Sequence, residues 1–198
     1  ENDSIWLGND PSGTTDTAAE NVALGTTALD AITTGDANTA IGYNALTSLT
    51  SGPFNTAVGQ YALYDHTTAQ NSTAVGSYAG KESNGSYNTY LGTKAGYSYE
   101  SGGPYDASSN VAVGYLSMGG ATLTSAASNT CVGRESGFSI VAAQNNTFIG
   151  TGTGRHNAGQ RSTAVGTYAL YAASANSDCV AVGYNALTAS TGTANTAV

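Results

Sequence analysis

A short phrase, Asn-Thr-Ala-Val/Ile-Gly, returns along the whole chain, and no other feature restricts its fold as tightly. It is clearest as Asn38-Thr39-Ala40-Ile41-Gly42 and Asn55-Thr56-Ala57-Val58-Gly59. Anchored on its glycine, the series runs Gly8, Gly25, Gly42, Gly59, Gly76, Gly92, Gly114, Gly133, Gly150, Gly166, Gly183, and a further phrase begins at Asn195. The spacings are 17, 17, 17, 17, 16, 22, 19, 17, 16 and 17 residues. Such a unit is too short for a helix pair and too rich in Gly, Thr and Asn to favour helix. A fixed period of this kind marks stacked units that bury a core only against their neighbours.

Each position in the phrase has its own chemistry. The residue before glycine is aliphatic in all eleven copies, from Leu7 and Leu24 through Ile41 and Val58 to Val165 and Val182. Two before it stands Ala, except for Trp6, Tyr90, Cys131 and Phe148; three before it stands Ile, Val or Thr. Alternating β-branched and small residues bounded by Asn and Gly predict a short strand. A second apolar point follows, as in Ala45-Leu46 and Ala62-Leu63, and the rest of the unit reads as turn. The expected fold is all-β: a parallel β-solenoid (β-roll) of about eleven coils stacked at about 4.8 Å, giving a rod on the order of 50 Å long. The whole of 1–198 forms one repeat segment of a longer fibre, interrupted by a loop insertion at 97–110 where the spacing widens to 22. The aliphatic row is expected to fill the interior, with stacked Asn and Thr bonding along the axis. The Ala row then faces outward, where small side chains admit another chain. So thin a core favours assembly as a parallel homotrimer.

Charge excludes several partners. Only 9% of residues are charged, against about 25% in a typical soluble protein. The net charge is −8, and residues 1–80 hold eight acids with no Lys or Arg. No basic patch exists to neutralise phosphates, so no nucleic-acid partner is expected. No run approaches the ~20 apolar residues of a membrane span, so no membrane insertion is expected. The sequence begins without Met and stops within a phrase, as expected of a piece of something longer.

The units Asn38-Thr39-Ala40-Ile41-Gly42-Tyr43-Asn44-Ala45-Leu46 and Val180-Ala181-Val182-Gly183-Tyr184-Asn185-Ala186-Leu187 resemble the repeats of phage tail-fibre-like and bacterial surface proteins. They are also similar to the head repeats of trimeric autotransporter adhesins, which form left-handed parallel β-rolls in a trimer. The resemblance covers essentially the whole chain and implies a trimeric fibre, extracellular on a bacterial surface or on a virion tail. It implies architecture more than function, because one repeat serves many receptors. The unit here is longer than the adhesin-head repeat, which leaves coil shape and handedness open.

Candidate chemistry is sparse. Cys131 and Cys179 lie three coils apart, about 14 Å along the rod, and read as separate buried thiols. His66 and His156 read as surface residues in turns, and no ligand spacing links them. Gly150-Thr151-Gly152-Thr153-Gly154-Arg155 lacks the ending of a phosphate loop. Gly8-Asn9-Asp10 suggests a calcium repeat but does not recur. No cofactor, metal or catalytic residue is therefore expected. The insertion carries Tyr97, Tyr99, Glu100, Tyr105 and Asp106, whose rings and carboxylates suit stacking on and hydrogen bonding to a sugar. Tyrosines elsewhere after the anchor glycine (Tyr43, Tyr61, Tyr78, Tyr115, Tyr168, Tyr184) recur regularly and are read as covering the coil sides.

These features favour a non-enzymatic fibre or adhesin segment, a stiff spacer that presents surfaces to a cell-surface glycan or receptor. An ice- or crystal-surface binder is the alternative. The Thr row speaks against it, because Thr39, Thr56, Thr73 and Thr89 share an expected inward position with Val22 and Val111. A polysaccharide-degrading tailspike is a further alternative, disfavoured because no acid recurs in register.

Overall fold

The computed structural model describes residues 3–8, 16–99, 105–120, 125–156, 159–172 and 177–198. It is a parallel β-solenoid with coils of about 17 residues, each contributing one strand to a single sheet. The strands are β1 (Ile5–Gly8), β2 (Val22–Gly25), β3 (Thr39–Ile41), β4 (Thr56–Val58), β5 (Thr73–Val75), β6 (Thr89–Leu91), β7 (Val111–Val113), β8 (Thr130–Val132), β9 (Thr147–Ile149), β10 (Thr163–Val165), β11 (Val180–Val182) and β12 (Thr196–Ala197). They pair in chain order and in register, so that Thr39 lies beside Thr56, Ala40 beside Ala57 and Ile41 beside Val58. Hydrogen bonds between coils continue beyond the strands, for example Asn44 N to Thr26 O and Leu46 N to Ala62 O.

The anchor glycines make this stacking possible. Gly42 has φ +134°, and a Cβ there would sit 2.6 Å from Gly59 O on the next coil. Backbone passes against backbone at each such step, and no side chain fits between them. Three further left-handed positions turn each of these coils, at Asn44, Leu46 and Phe54 after Gly42 and at Tyr61, Leu63 and Asn71 after Gly59.

The interior is the reverse of the expected one. The residues two before glycine are buried: Ala23, Ala40, Ala57, Ala74, Tyr90, Ala112, Cys131, Phe148, Ala164 and Ala181 are at most 2% exposed. The aliphatic row faces out, with Leu7 60%, Leu24 46% and Ile149 41% exposed. Strand alternation places the two rows on opposite faces, but the lumen of a 17-residue coil is narrow. It admits a methyl from the strand because Leu46, Leu49 and Leu63 enter from the turns opposite. Size, rather than hydrophobicity, sorts the rows.

The exceptions in the Ala row obey the same limit. Where that row carries Tyr90, Cys131 or Phe148, the residue four after the coil's anchor glycine is Gly96, Gly137 or Gly154. In the coils with Ala it is Leu29, Leu46, Leu63, Met118, Leu170 or Leu187, with Gly80 the exception. A Cβ on Gly154 would lie 2.5 Å from Phe148 Cδ2, and one on Gly80 would lie 2.5 Å from Tyr90 Cδ2. Interior volume is thus conserved by exchange between the two walls.

An asparagine ladder runs beside this core. Asn21, Asn38, Asn55, Asn88, Asn110, Asn129 and Asn146 are buried, with Ser72, Ser162 and Cys179 in the same rank. Asn129 Oδ1 accepts the backbone N–H of Asn146 at 3.0 Å, and Asn129 Nδ2 donates to Ala143 O at 2.8 Å. Each amide therefore satisfies a backbone donor and a backbone acceptor that the turn would otherwise leave buried and unpaired. Bonding along the axis by Asn agrees with the sequence reading. Cys131 and Cys179 are both buried free thiols, also as expected.

Candidate functional site

The turn after each anchor glycine places two positions side by side on one edge of the rod, at two and five residues past the glycine. In successive coils they hold Tyr61 and Tyr64, Tyr78 and Lys81, then Lys94 and Tyr97. Left-handed backbone at Tyr61, Tyr78 and Lys94 turns this rank away from the lumen. The rings touch in series: Tyr43 to Tyr61 at 5.4 Å, Tyr61 to Tyr78 at 5.2 Å and nearly parallel, Tyr78 to Tyr97 at 6.1 Å, Tyr97 to Tyr99 at 5.0 Å. Phe138 extends the series 6.3 Å beyond Tyr99. Arg155 lies over Phe138 at 4.6 Å and near Tyr171, which meets Tyr168. The sequence showed these tyrosines as regular, and regularity spoke against a site. The signal that marks one is the replacement of tyrosine by lysine within the same two ranks.

Cations punctuate the ribbon. Lys81 Nζ lies 5.7 Å from the Tyr64 centroid and bonds Glu82 Oε1 at 2.8 Å. Burial pulls its pKa down, but Glu82 and Asp65 outweigh that and hold the ammonium above its usual range. Lys94 Nζ lies 5.2 Å from the centroids of both Tyr97 and Tyr99. Among the described residues, no carboxylate comes within ion-pair distance of it. Arg155 pairs with Glu135 at 2.9 Å.

The structure divides the five residues singled out in the insertion. Tyr97 and Tyr99 lie on the aromatic ribbon, half-buried and exposed respectively. Tyr105 is buried, and its hydroxyl donates to Gly96 O. It therefore faces the lumen rather than a surface ligand. Asp106 is exposed and accepts from Asn84 Nδ2 at 3.4 Å. Glu100 lies outside the described residues. Within the span 97–110, Ser98 bonds Glu82 and Tyr105 pairs with Ser83 of the same preceding coil.

Behind the ribbon the core is polar. Ser83 Oγ lies 3.3 Å from the Tyr90 hydroxyl, and burial raises the pKa of both Tyr90 and Tyr105. Glu82 is buried and accepts the Ser98 N–H at 3.1 Å. His66 is buried here too, contrary to its reading as a surface residue; His156 is exposed as expected. His66 takes the position that holds Ile32 and Leu49 in the two preceding coils, and so it points inward. Its Nδ1 meets Ser83 O at 2.8 Å, its Nε2 has no partner among the described residues, and burial lowers its pKa to about 4. Among the described residues, no cluster of His, Cys, Asp and Glu could hold a metal ion, and no helix is long and apolar enough to cross a membrane.

Comparison with known proteins adds no identity: no family model, no curated protein and no solved structure matches the chain.

Proposed function

We propose that this chain is a non-catalytic fibre segment, a stiff spacer on a virion tail or bacterial surface that presents its sides to a cell-surface glycan or receptor. One observation carries the reading. The outward face of the β1–β12 sheet is a continuous, uncharged band of Thr and aliphatic residues. Exposed apolar bands of such length mark interaction surfaces. The occupant is further copies of the same chain, in a parallel homotrimer with the three bands facing a common axis. In-register, repetitive bands match along their full length, and closed symmetry covers all of them at once. The repeat resemblance supplies the number three. The aliphatic row thereby takes the role first expected of the alanine row.

Sedimentation equilibrium should give three times the 19.7 kDa chain mass. Val75→Lys, on the exposed face of β5, should shift that mass toward one chain while the β circular dichroism persists. A folded 19.7 kDa species at micromolar concentration would overturn the assembly.

A second reading has gained an observation. The Thr row faces outward beside the aliphatic row, as in Thr56 and Val58 flanking buried Ala57, which removes the argument against a lattice-binding surface. A flat array at regular coil spacing is suited to an ordered solid such as ice. Thermal hysteresis at micromolar protein would favour it over the fibre, and its absence would dismiss it.

A further inference from the structure

We infer that Lys94, with Tyr78, Tyr97 and Tyr99, forms a subsite for an acidic sugar residue of an extended glycan; the inference rests on the glycan-attachment reading above. The chain has five basic residues against thirteen acidic ones. Lys81, Arg134, Arg155 and Arg161 each pair with a carboxylate, and among the described residues Lys94 does not. Its ammonium is instead held over the faces of Tyr97 and Tyr99, 5.2 Å from each centroid. Two π faces fix a cation in place without neutralising it. It is thus pre-organised to accept an anion at little ordering cost.

The surroundings select a sugar. Tyr61 and Tyr78 lie nearly parallel at 15° and 5.2 Å, which continues the aromatic surface at the coil repeat of about 4.8 Å, close to one sugar ring per coil. Phenol rings offer flat apolar faces to pyranose C–H groups, and their hydroxyls bond to sugar hydroxyls. Lys94 then receives a carboxylate or sulfate carried on the same chain.

The test titrates the full chain with polygalacturonate, dextran sulfate and neutral dextran, following tyrosine fluorescence. Polygalacturonate binding without dextran sulfate assigns the anion as carboxylate, and the converse as sulfate; either supports the subsite if added salt weakens it. Lys94→Asn should fold, because Asn44 and Asn185 occupy the same left-handed position, and should bind about tenfold more weakly. Lys94→Arg should retain binding. Tyr87→Ala, at an exposed tyrosine on a different turn of the coil, should change nothing. Equal binding by Lys94→Asn overturns the inference. Neutral dextran bound as well as the acidic polymers overturns the acidic assignment and leaves glycan attachment standing. Binding of none of the three overturns the subsite, while the fibre reading is still decided by the assembly mass.

Discussion

Phe148 and Gly154 show how single residues keep the lumen filled. The phenyl ring occupies the space that a leucine side chain takes elsewhere, and Gly154 leaves room for it. Phe148→Ala should cost about 3–5 kcal/mol through the cavity it opens. Gly154→Leu should cost at least about 1–3 kcal/mol by overpacking, since leucine itself accepts this backbone at Leu46 and Leu63. Combined, the two recreate the common coil, so the double variant should be more stable than the sum of the single effects, which a double-mutant cycle in urea measures. His66 carries the pH dependence. Its folded pKa, about 4, lies below the unfolded value, so the neutral imidazole stabilises the fold above pH ~6.5. That stability falls as pH drops through 6.5 toward 4, by about 3 kcal/mol in all. Burial raises the Asp65 pKa, opposed in part by Lys81, and this works in the opposite direction. The contrast between wild type and His66→Leu therefore isolates the histidine: unfolding titrations at pH 7 and pH 4 should show the variant losing less stability on acidification.

At the scale of the strand and its turn, the repeat is set by the glycine that follows each strand. Gly59 combines φ +134° with a Cβ position 2.5 Å from Gly76 O, so two independent penalties fall on any side chain there. Gly59→Ala should cost about 3 kcal/mol or more, because both left-handed strain and separation of two coils must be accommodated. A matched exposed alanine substitution, Gln60→Ala, should stay within about 0.5 kcal/mol. Thermal denaturation of the two variants checks the contrast. Within the strand, three residues determine little by themselves; β3 holds its shape because β2 and β4 bond both edges in register.

Across the whole molecule, each strand pairs only with the strands of the adjacent coils, so damage should stay local. Asn129→Ala would leave the Asn146 N–H and the Ala143 carbonyl without these buried partners, a loss of about 3 kcal/mol. Amide exchange should quicken in β7, β8 and β9 and remain unchanged in β2 and β3. Uniform acceleration along the rod would mean that the coils unfold as one cooperative unit.

The periodic aliphatic–glycine step was enough to determine a parallel solenoid, its coil length and its strand register, because identical units repeat every interaction with the next copy. Buried thiols and an axial asparagine ladder followed from the same period. Which row faces inward depended on the width of the lumen, a property of the closed coil that no linear pattern states. The pairing of Tyr90, Cys131 and Phe148 with Gly96, Gly137 and Gly154 was present in the sequence, yet it becomes meaningful only once both walls share one interior. Burial of His66 and Tyr105 belongs wholly to the tertiary structure: each depends on residues from a neighbouring coil, or across an insertion, meeting at one point in space. The cation held between Tyr97 and Tyr99 is sequence-local by contrast, and only the path of that one turn brings its three side chains together.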